Sequence, residues 1–173
     1  MPTLSPISHE AFVADILTLA ARIAADPWRP DYLVGIGRGG LAPAAYLSHA
    51  TGLPLLSIDH STKLAAFGET LLAHVAAMTA AGTRMLLVDD INDSGRTIAE
   101  LRAAIEAGGG DAANLRAAVL ITNSRSTAQA EYWARSIDRA EDKSWFVFPW
   151  EALAPRETVV ADALNVPERL GGD

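Results

Sequence analysis

Five apolar runs punctuate this chain, and most of them are continuous rather than alternating. "DYLVGI", "PLLSID", "RMLLVDD" and "RAAVLIT" read as four strands, and "SWFVF" reads as a fifth. Strands without polar alternation are buried on both faces, which calls for a parallel sheet covered by helices. The intervening stretches supply those helices. "SHEAFVADILTLAARIAAD" sets Phe12, Ile16, Leu19 and Ile23 on one face, with Ser8 as N-cap. "LAPAAYLSHATG" is helical, with Pro43 tolerated in its first turn and Gly52 past its end. "ETLLAHVAAMTAAG" and "GRTIAELRAAIEAGGG" are two more helices. Residues 59–68, "DHSTKLAAFG", lack a period and read as a loop, and a helical or irregular tail begins at Pro155. The predicted class is α/β, a Rossmann-like parallel sheet with helices on both faces.

A chain of 173 residues without linker or repeat is expected to form one domain, 1–173. It has no cysteine, which excludes disulfides, zinc–thiolate sites and cysteine nucleophiles. No apolar run reaches the roughly 18 residues of a membrane span, and "MPTLSPISHE" lacks a secretory pattern. A cytoplasmic protein without a membrane partner is the expectation. The net charge of −7, with no basic stripe, speaks against a nucleic-acid partner. The four histidines, His9, His49, His60 and His74, show no metal-binding spacing.

Ligands of such sheets bind at the carboxyl ends of the strands, and two unusual loops fall there. The first, "GIGRGG" at Gly35–Gly40, links a strand to a helix. It matches the dinucleotide pattern G-x-G-x-x-G, and Asp59 ends the next strand where a ribose-binding acid would lie. A nicotinamide-dependent oxidoreductase is therefore one alternative. Arg38 inside the turn and the short remaining chain favour an anion loop instead. Gly37, Gly39 and Gly40 free the amides to face a ligand, and Arg38 adds a charged donor for phosphate or pyrophosphate.

The second loop, "LLVDDINDSGRT", carries three acids before a helix. Ser94, Gly95, Arg96 and Thr97 suit a phosphate monoester. Asp89 and Asp90 suit a ribose diol or a Mg²⁺ held partly through water, and Asp93 can take a hydrogen bond or proton from a heterocycle. Helix capping accounts for one acid but not three. Phosphate site, diol site and base together match a ribose 5-phosphate reacting at C1.

That stretch resembles the phosphoribosyl-pyrophosphate (PRPP) signature of the type I phosphoribosyltransferases, and "GIGRGGL" resembles their pyrophosphate loop. The likeness covers residues from about 30 to 150. It implies the fold of that family, with a core at about 30–125 and a small C-terminal hood at about 126–155 that binds the base together with the N-terminal helix. It implies Mg²⁺ as cofactor and a PRPP site made of Gly37, Arg38, Gly39, Gly40, Asp89, Asp90, Asp93, Ser94, Gly95, Arg96 and Thr97. Asp93 and Arg38 would be the catalytic pair. It also implies a cis peptide at Gly37–Arg38.

"SWFVFPWE" is similar to the C-terminal signature of 6-oxopurine enzymes, the xanthine–guanine and hypoxanthine phosphoribosyltransferases. By that similarity Trp145 stacks on the base, the backbone at Phe146 binds its edge, and Glu151 joins Asp89 and Asp90 as a metal ligand. The family's purine-contacting lysine after the fourth strand is missing. Asn123 stands nearest its place, with Arg125 and Lys143 as substitutes. A non-purine acceptor and a non-catalytic PRPP-sensing relative are further alternatives. Residues 59–80 are a candidate closing loop, Lys63 a candidate pyrophosphate contact, and the 69–81 helix a candidate interface. The family likeness favours a homodimer or tetramer.

Overall fold

The computed structural model describes residues 2–58 and 65–164. Asp59, His60 and Lys63 lie outside the described residues, as does the chain beyond Leu164. The elements run β1 (Leu4–Pro6), α1 (His9–Ala25), β2 (Tyr32–Ile36), α2 (Gly37–Thr51), β3 (Leu55–Ile58), α3 (Ala65–Ala80), β4 (Met85–Asn92) and α4 (Arg96–Ala107). They continue with β5 (Leu115–Asn123), β6 (Tyr132–Ile137), β7 (Trp145–Val147) and α5 (Arg156–Leu164). Five strands form one parallel sheet in the order β3-β2-β4-β5-β6.

Strand alternation builds two cores. Leu33, Leu86, Val88 and Leu120 face Phe12, Leu19 and Leu47 from α1 and α2. Val34, Met85, Leu87 and Val119 face Ile98, Leu101 and Ile105 from α4. Helices thus cover both faces, as the apolar strands require. Ser8 caps α1 as expected, its hydroxyl accepting from the Ala11 amide at 3.1 Å. Gly52 ends α2 in the left-handed conformation, φ 74°.

The structure departs from expectation in four places. The fifth strand of the sheet is β6, not "SWFVF". As an edge strand, β6 is mostly half-buried, so "YWARSI" has no continuous apolar run to announce it. The "SWFVF" segment instead contributes β7, which pairs in parallel with β1 in a separate two-stranded sheet. Helix α2 starts at Gly37 and takes in the glycine loop, so Pro43 stands beyond its first turn. Helix α3 starts at Ala65, inside the stretch expected to be a loop. Finally, all described peptide bonds are trans, Gly37–Arg38 included; Gly37 makes the turn into α2 through φ 54° instead.

The sheet order sends the chain one way from β2 to β3 and the other way from β4 to β5, so β2 and β4 flank a switch point. There α2 approaches β4 closely. A Cβ on Gly40 would collide with the Val88 carbonyl oxygen and lie 3.2 Å from Asp89 Cα. Backbone on both sides leaves no flexible group to yield. Gly40→Ala is expected to cost about 1–3 kcal/mol or more through overpacking. Gly52→Ala, where nothing lies within 4 Å, carries only left-handed strain of about 1–2 kcal/mol. Chemical denaturation of the two variants checks the order; equal midpoints would show that α2 does not rest on β4.

Candidate active site

Strand β4 carries the chain from the core straight into the acids. Asp89 and Asp90 are its fifth and sixth residues, and they are consecutive, so their side chains leave on opposite faces. Asp90 takes the face of α2. A Cβ on Gly39 would sit 2.5 Å from Asp90 Oδ2, so the glycine loop and this carboxylate are in contact. Asp90 also lines a small pocket of about 100 Å³ with Ile91, Trp145, Phe146, Phe148 and Glu151. Asp89 is not among its lining residues. The three carboxylates expected to share one cation therefore do not converge. Among the described residues, no three His, Cys, Asp or Glu side chains form a metal cage.

Each acid is held by the backbone next to it. The Asp90 amide donates to Asp89 Oδ1 at 3.0 Å, and the Ile91 amide donates to Asp90 Oδ1 at 2.7 Å. These bonds do not offset the loss of water. Burial first, and then the charge of Asp90, holds Asp89 well above the usual carboxylate range. Burial first, and then the charge of Glu151, pushes Asp90 up to about 7. Glu151 is fixed by its own turn, with Oε2 accepting from the Phe148 amide at 3.0 Å.

The turn into α4 follows. Ser94 Oγ accepts from the Arg96 amide at 3.3 Å, and Gly95 precedes α4 with φ 90°. A second strand-end loop clamps this turn. Thr127 donates to the Ser94 carbonyl through its amide (3.0 Å) and its hydroxyl (2.7 Å). A Cβ on Gly95 would meet the Ala128 amide and Ser126 Oγ, so only glycine fits. Buried Asn92 ties the same loops, donating to the Ala128 carbonyl at 2.8 Å and accepting from Ser126 Oγ at 3.1 Å.

Asp93 opens onto a cavity of about 810 Å³ that Ser94, Arg96, Asn123, Arg125, Arg139 and Lys143 also line. Asn123 reaches this cavity, but its amide is engaged within the protein. Nδ2 donates to the Asp93 carbonyl at 3.0 Å, and Oδ1 accepts from the amides of Arg125 (3.2 Å) and Arg139 (3.3 Å). It is poorly placed to take over a lysine's role. Trp145 and Phe146 border the small pocket rather than the large cavity. Phe146 is buried, and its ring lies under the Arg139 guanidinium at 5.3 Å. Arg38 is exposed in the first turn of α2, and Arg96 is exposed in that of α4. Sequence reading missed Arg139 altogether. Two of its three nitrogens fork the Asp93 carboxylate, Nε at 2.7 Å and Nη2 at 3.0 Å.

The raised Asp90 makes stability depend on pH. Its carboxyl titrates near 3.8 when unperturbed and near 7 when folded. Between those values the folded chain keeps a proton that the unfolded chain has lost, so the group's contribution falls as pH rises and is flat above. In metal-free buffer the melting temperature of Asp90→Asn is expected to decline less than that of the parent between about pH 4 and 7. Parallel profiles would show that Asp90 is already ionised in the fold.

The phosphoribosyl transferase domain model matches residues 7–154. Solved structures share the fold at low identity. Purine phosphoribosyltransferase from Pyrococcus horikoshii is 23% identical over 85% of this chain and 93% of that one, with a TM-score of 0.61. The xanthine-guanine-hypoxanthine phosphoribosyltransferase of Helicobacter pylori is 21% identical over 84% and 92%, at 0.60. A hypothetical protein from Neisseria gonorrhoeae with bound ppGpp is 19% identical over 95% and 97%, at 0.65. No described helix is long and apolar enough to cross a membrane. With the model spanning most of its length and both signature loops meeting at the sheet's switch point, the chain belongs to the phosphoribosyltransferase family, enzymes of the glycosyltransferase type.

Proposed function

We propose that this enzyme transfers ribose 5-phosphate from PRPP to a ring nitrogen of a 6-oxopurine (guanine, xanthine or hypoxanthine), releasing pyrophosphate. The observation that carries the reading is the sharing of one cavity by Asp93, Ser94 and Arg96 at the end of β4. The glycine loop packs against Asp90 at the same edge. In this reading the 5-phosphate rests on Ser94, Gly95, Arg96 and Thr97, and the ribose hydroxyls meet Asp89 and Asp90. The pyrophosphate meets Arg38 and the amides of Gly37, Gly39 and Gly40. Residues 126–155 and the N-terminal segment form the base-binding hood.

Asp90 and Glu151 border one small pocket, and the charge of Glu151 raises Asp90. That donor set fits a hard divalent cation completed by water and substrate oxygens. Bound Mg²⁺ would neutralise charge on the departing pyrophosphate. The chain's own part is to hold the donor and the acceptor in line. The C1–oxygen bond to pyrophosphate breaks as the C1–nitrogen bond forms. Arg38 and the loop amides stabilise the leaving oxygens. Asp93 faces the acceptor and draws off its proton. A stacking role for Trp145, which borders the small pocket with Asp90, rests on the sequence likeness. The engaged amide of Asn123 moves the contact to the purine's exocyclic oxygen toward Arg125 or Lys143, which line the cavity. A homodimer or tetramer and a place in purine salvage complete the reading.

A second reading has its own support. Arg96 and Lys143 line the cavity beside Arg125 and Arg139, which pair with Asp138 and Asp93. The Neisseria relative holds ppGpp. A polyphosphorylated guanosine is a candidate occupant of the same cavity, and it would compete with PRPP.

A panel of bases with PRPP and Mg²⁺, followed by pyrophosphate release, tests the main reading. Guanine, xanthine or hypoxanthine is expected to turn over, and chelation to stop it. A non-purine as the sole acceptor sinks the purine assignment. Asp93→Asn is expected to lower kcat by about 10²–10⁴-fold. Asp90→Asn is expected to lower kcat/KM for PRPP by about 10–100-fold and to weaken the Mg²⁺ response.

A further inference from the structure

Arg139 follows β6, and its side chain is only 3% exposed. A buried guanidinium needs partners on all sides. Nη1 donates to the carbonyls of Asp142 (3.1 Å) and Ser144 (2.8 Å), while Nε and Nη2 fork Asp93. The Phe146 ring closes one face. The backbone completes a ring of contacts. Asn123 accepts from the Arg139 amide and donates to the Asp93 carbonyl. Asp93 is thus gripped at its main chain by Asn123 and at its carboxylate by Arg139. The same guanidinium holds the residues that lead into β7, where Trp145 begins the strand.

This arrangement does more than neutralise a buried charge. A fork on both oxygens fixes the plane of the carboxylate, which a single-point donor does not. The two carbonyl contacts tie the approach of β7 to the same group. We infer that Arg139 is the positioning residue of the acceptor half of the site: it sets the plane of the Asp93 carboxylate and its register with β7. The inference rests on the reading of Asp93 as the group that meets the acceptor.

The test separates the acceptor from the donor. In Arg139→Lys, kcat is expected to fall by about 10²-fold, the scale of a misplacement of about 1 Å. The KM for the base is expected to rise more than that for PRPP, since Arg139 bonds the Asp93 carboxylate and no side chain of Ser94 to Thr97 or of the glycine loop. In an Asp93→Asn background, Arg139→Lys is expected to lower kcat no further, because the two residues act as one unit. A readout without turnover compares binding of ribose 5-phosphate with that of a purine nucleoside 5′-monophosphate by calorimetry. Arg139→Lys weakens only the nucleotide. Should Arg139→Lys fail to fold, the uncharged pair Asp93→Asn with Arg139→Gln is expected to match Asp93→Asn alone in kcat and nucleotide affinity, and a further loss of either overturns the inference. Wild-type values of kcat and nucleotide affinity in Arg139→Lys overturn the inference, as does an equal loss of both ligands. A parent protein that binds nucleotide no tighter than ribose 5-phosphate also overturns it. A parent that turns over no base defeats the transferase reading instead, and the binding comparison still decides the role of Arg139.

Discussion

The close approach of Gly40 to the Val88 carbonyl is the constraint on which the site depends. Strands β2 and β4 are parallel neighbours, so their carboxyl ends share an edge. Sharing an edge does not bring two loops into contact. Contact requires the first turn of α2 to lie directly on β4, with no side chain between. Gly39 then touches Asp90 and Gly40 touches the backbone behind it. The glycines serve two ends at once: they pack a helix against a strand and leave amides available at its N-terminus.

The acids beyond that contact differ in their surroundings, and so in what they can do. Asp89 and Asp90 leave β4 on opposite faces; burial makes both costly to ionise, helped by the charge of Asp90 on Asp89 and of Glu151 on Asp90. Such groups respond to a cation or a hydroxyl donor. Asp93, past the strand, has a buried guanidinium as its partner. One short segment thus holds carboxylates in two settings, and the partners Glu151 and Arg139 come from elements distant in sequence. A net charge of −7 is compatible with an anionic substrate because Arg38, Arg96, Arg125 and Lys143 act locally.

Much of the fold could be read from period and capping. The apolar runs of β2, β4 and β5 demand burial on both faces, and Ser8 and Gly52 mark helix ends by local chemistry. β6 was missed because an edge strand buries one face poorly, and β1 because three residues carry no period. The cis bond expected at Gly37–Arg38 came from family likeness alone. A glycine at positive φ makes the same turn with a trans bond. Pro43 was placed correctly in a helix, but four glycine-loop residues extend that helix ahead of it.

The two halves of the candidate site differ in legibility for a physical reason. The donor half is contiguous. Backbone amides, hydroxyls and acids within one loop must sit at fixed spacing, so their chemistry survives as a string. The acceptor half is assembled across the fold. Asp93 follows β4, Asn123 ends β5 and Arg139 follows β6, and side-chain bonds join the three. Asn123 shows the consequence. By position it stands where a base-contacting lysine is expected; by bonding it braces Asp93 and Arg139, and its amide is engaged. Arg139, surrounded in sequence by "SIDRAEDKSW", has nothing local to distinguish it from a solvated arginine. Only burial and the fork on Asp93 do so. Under the proposed reading the acceptor side of the candidate site is set by tertiary packing, which a loop motif does not record.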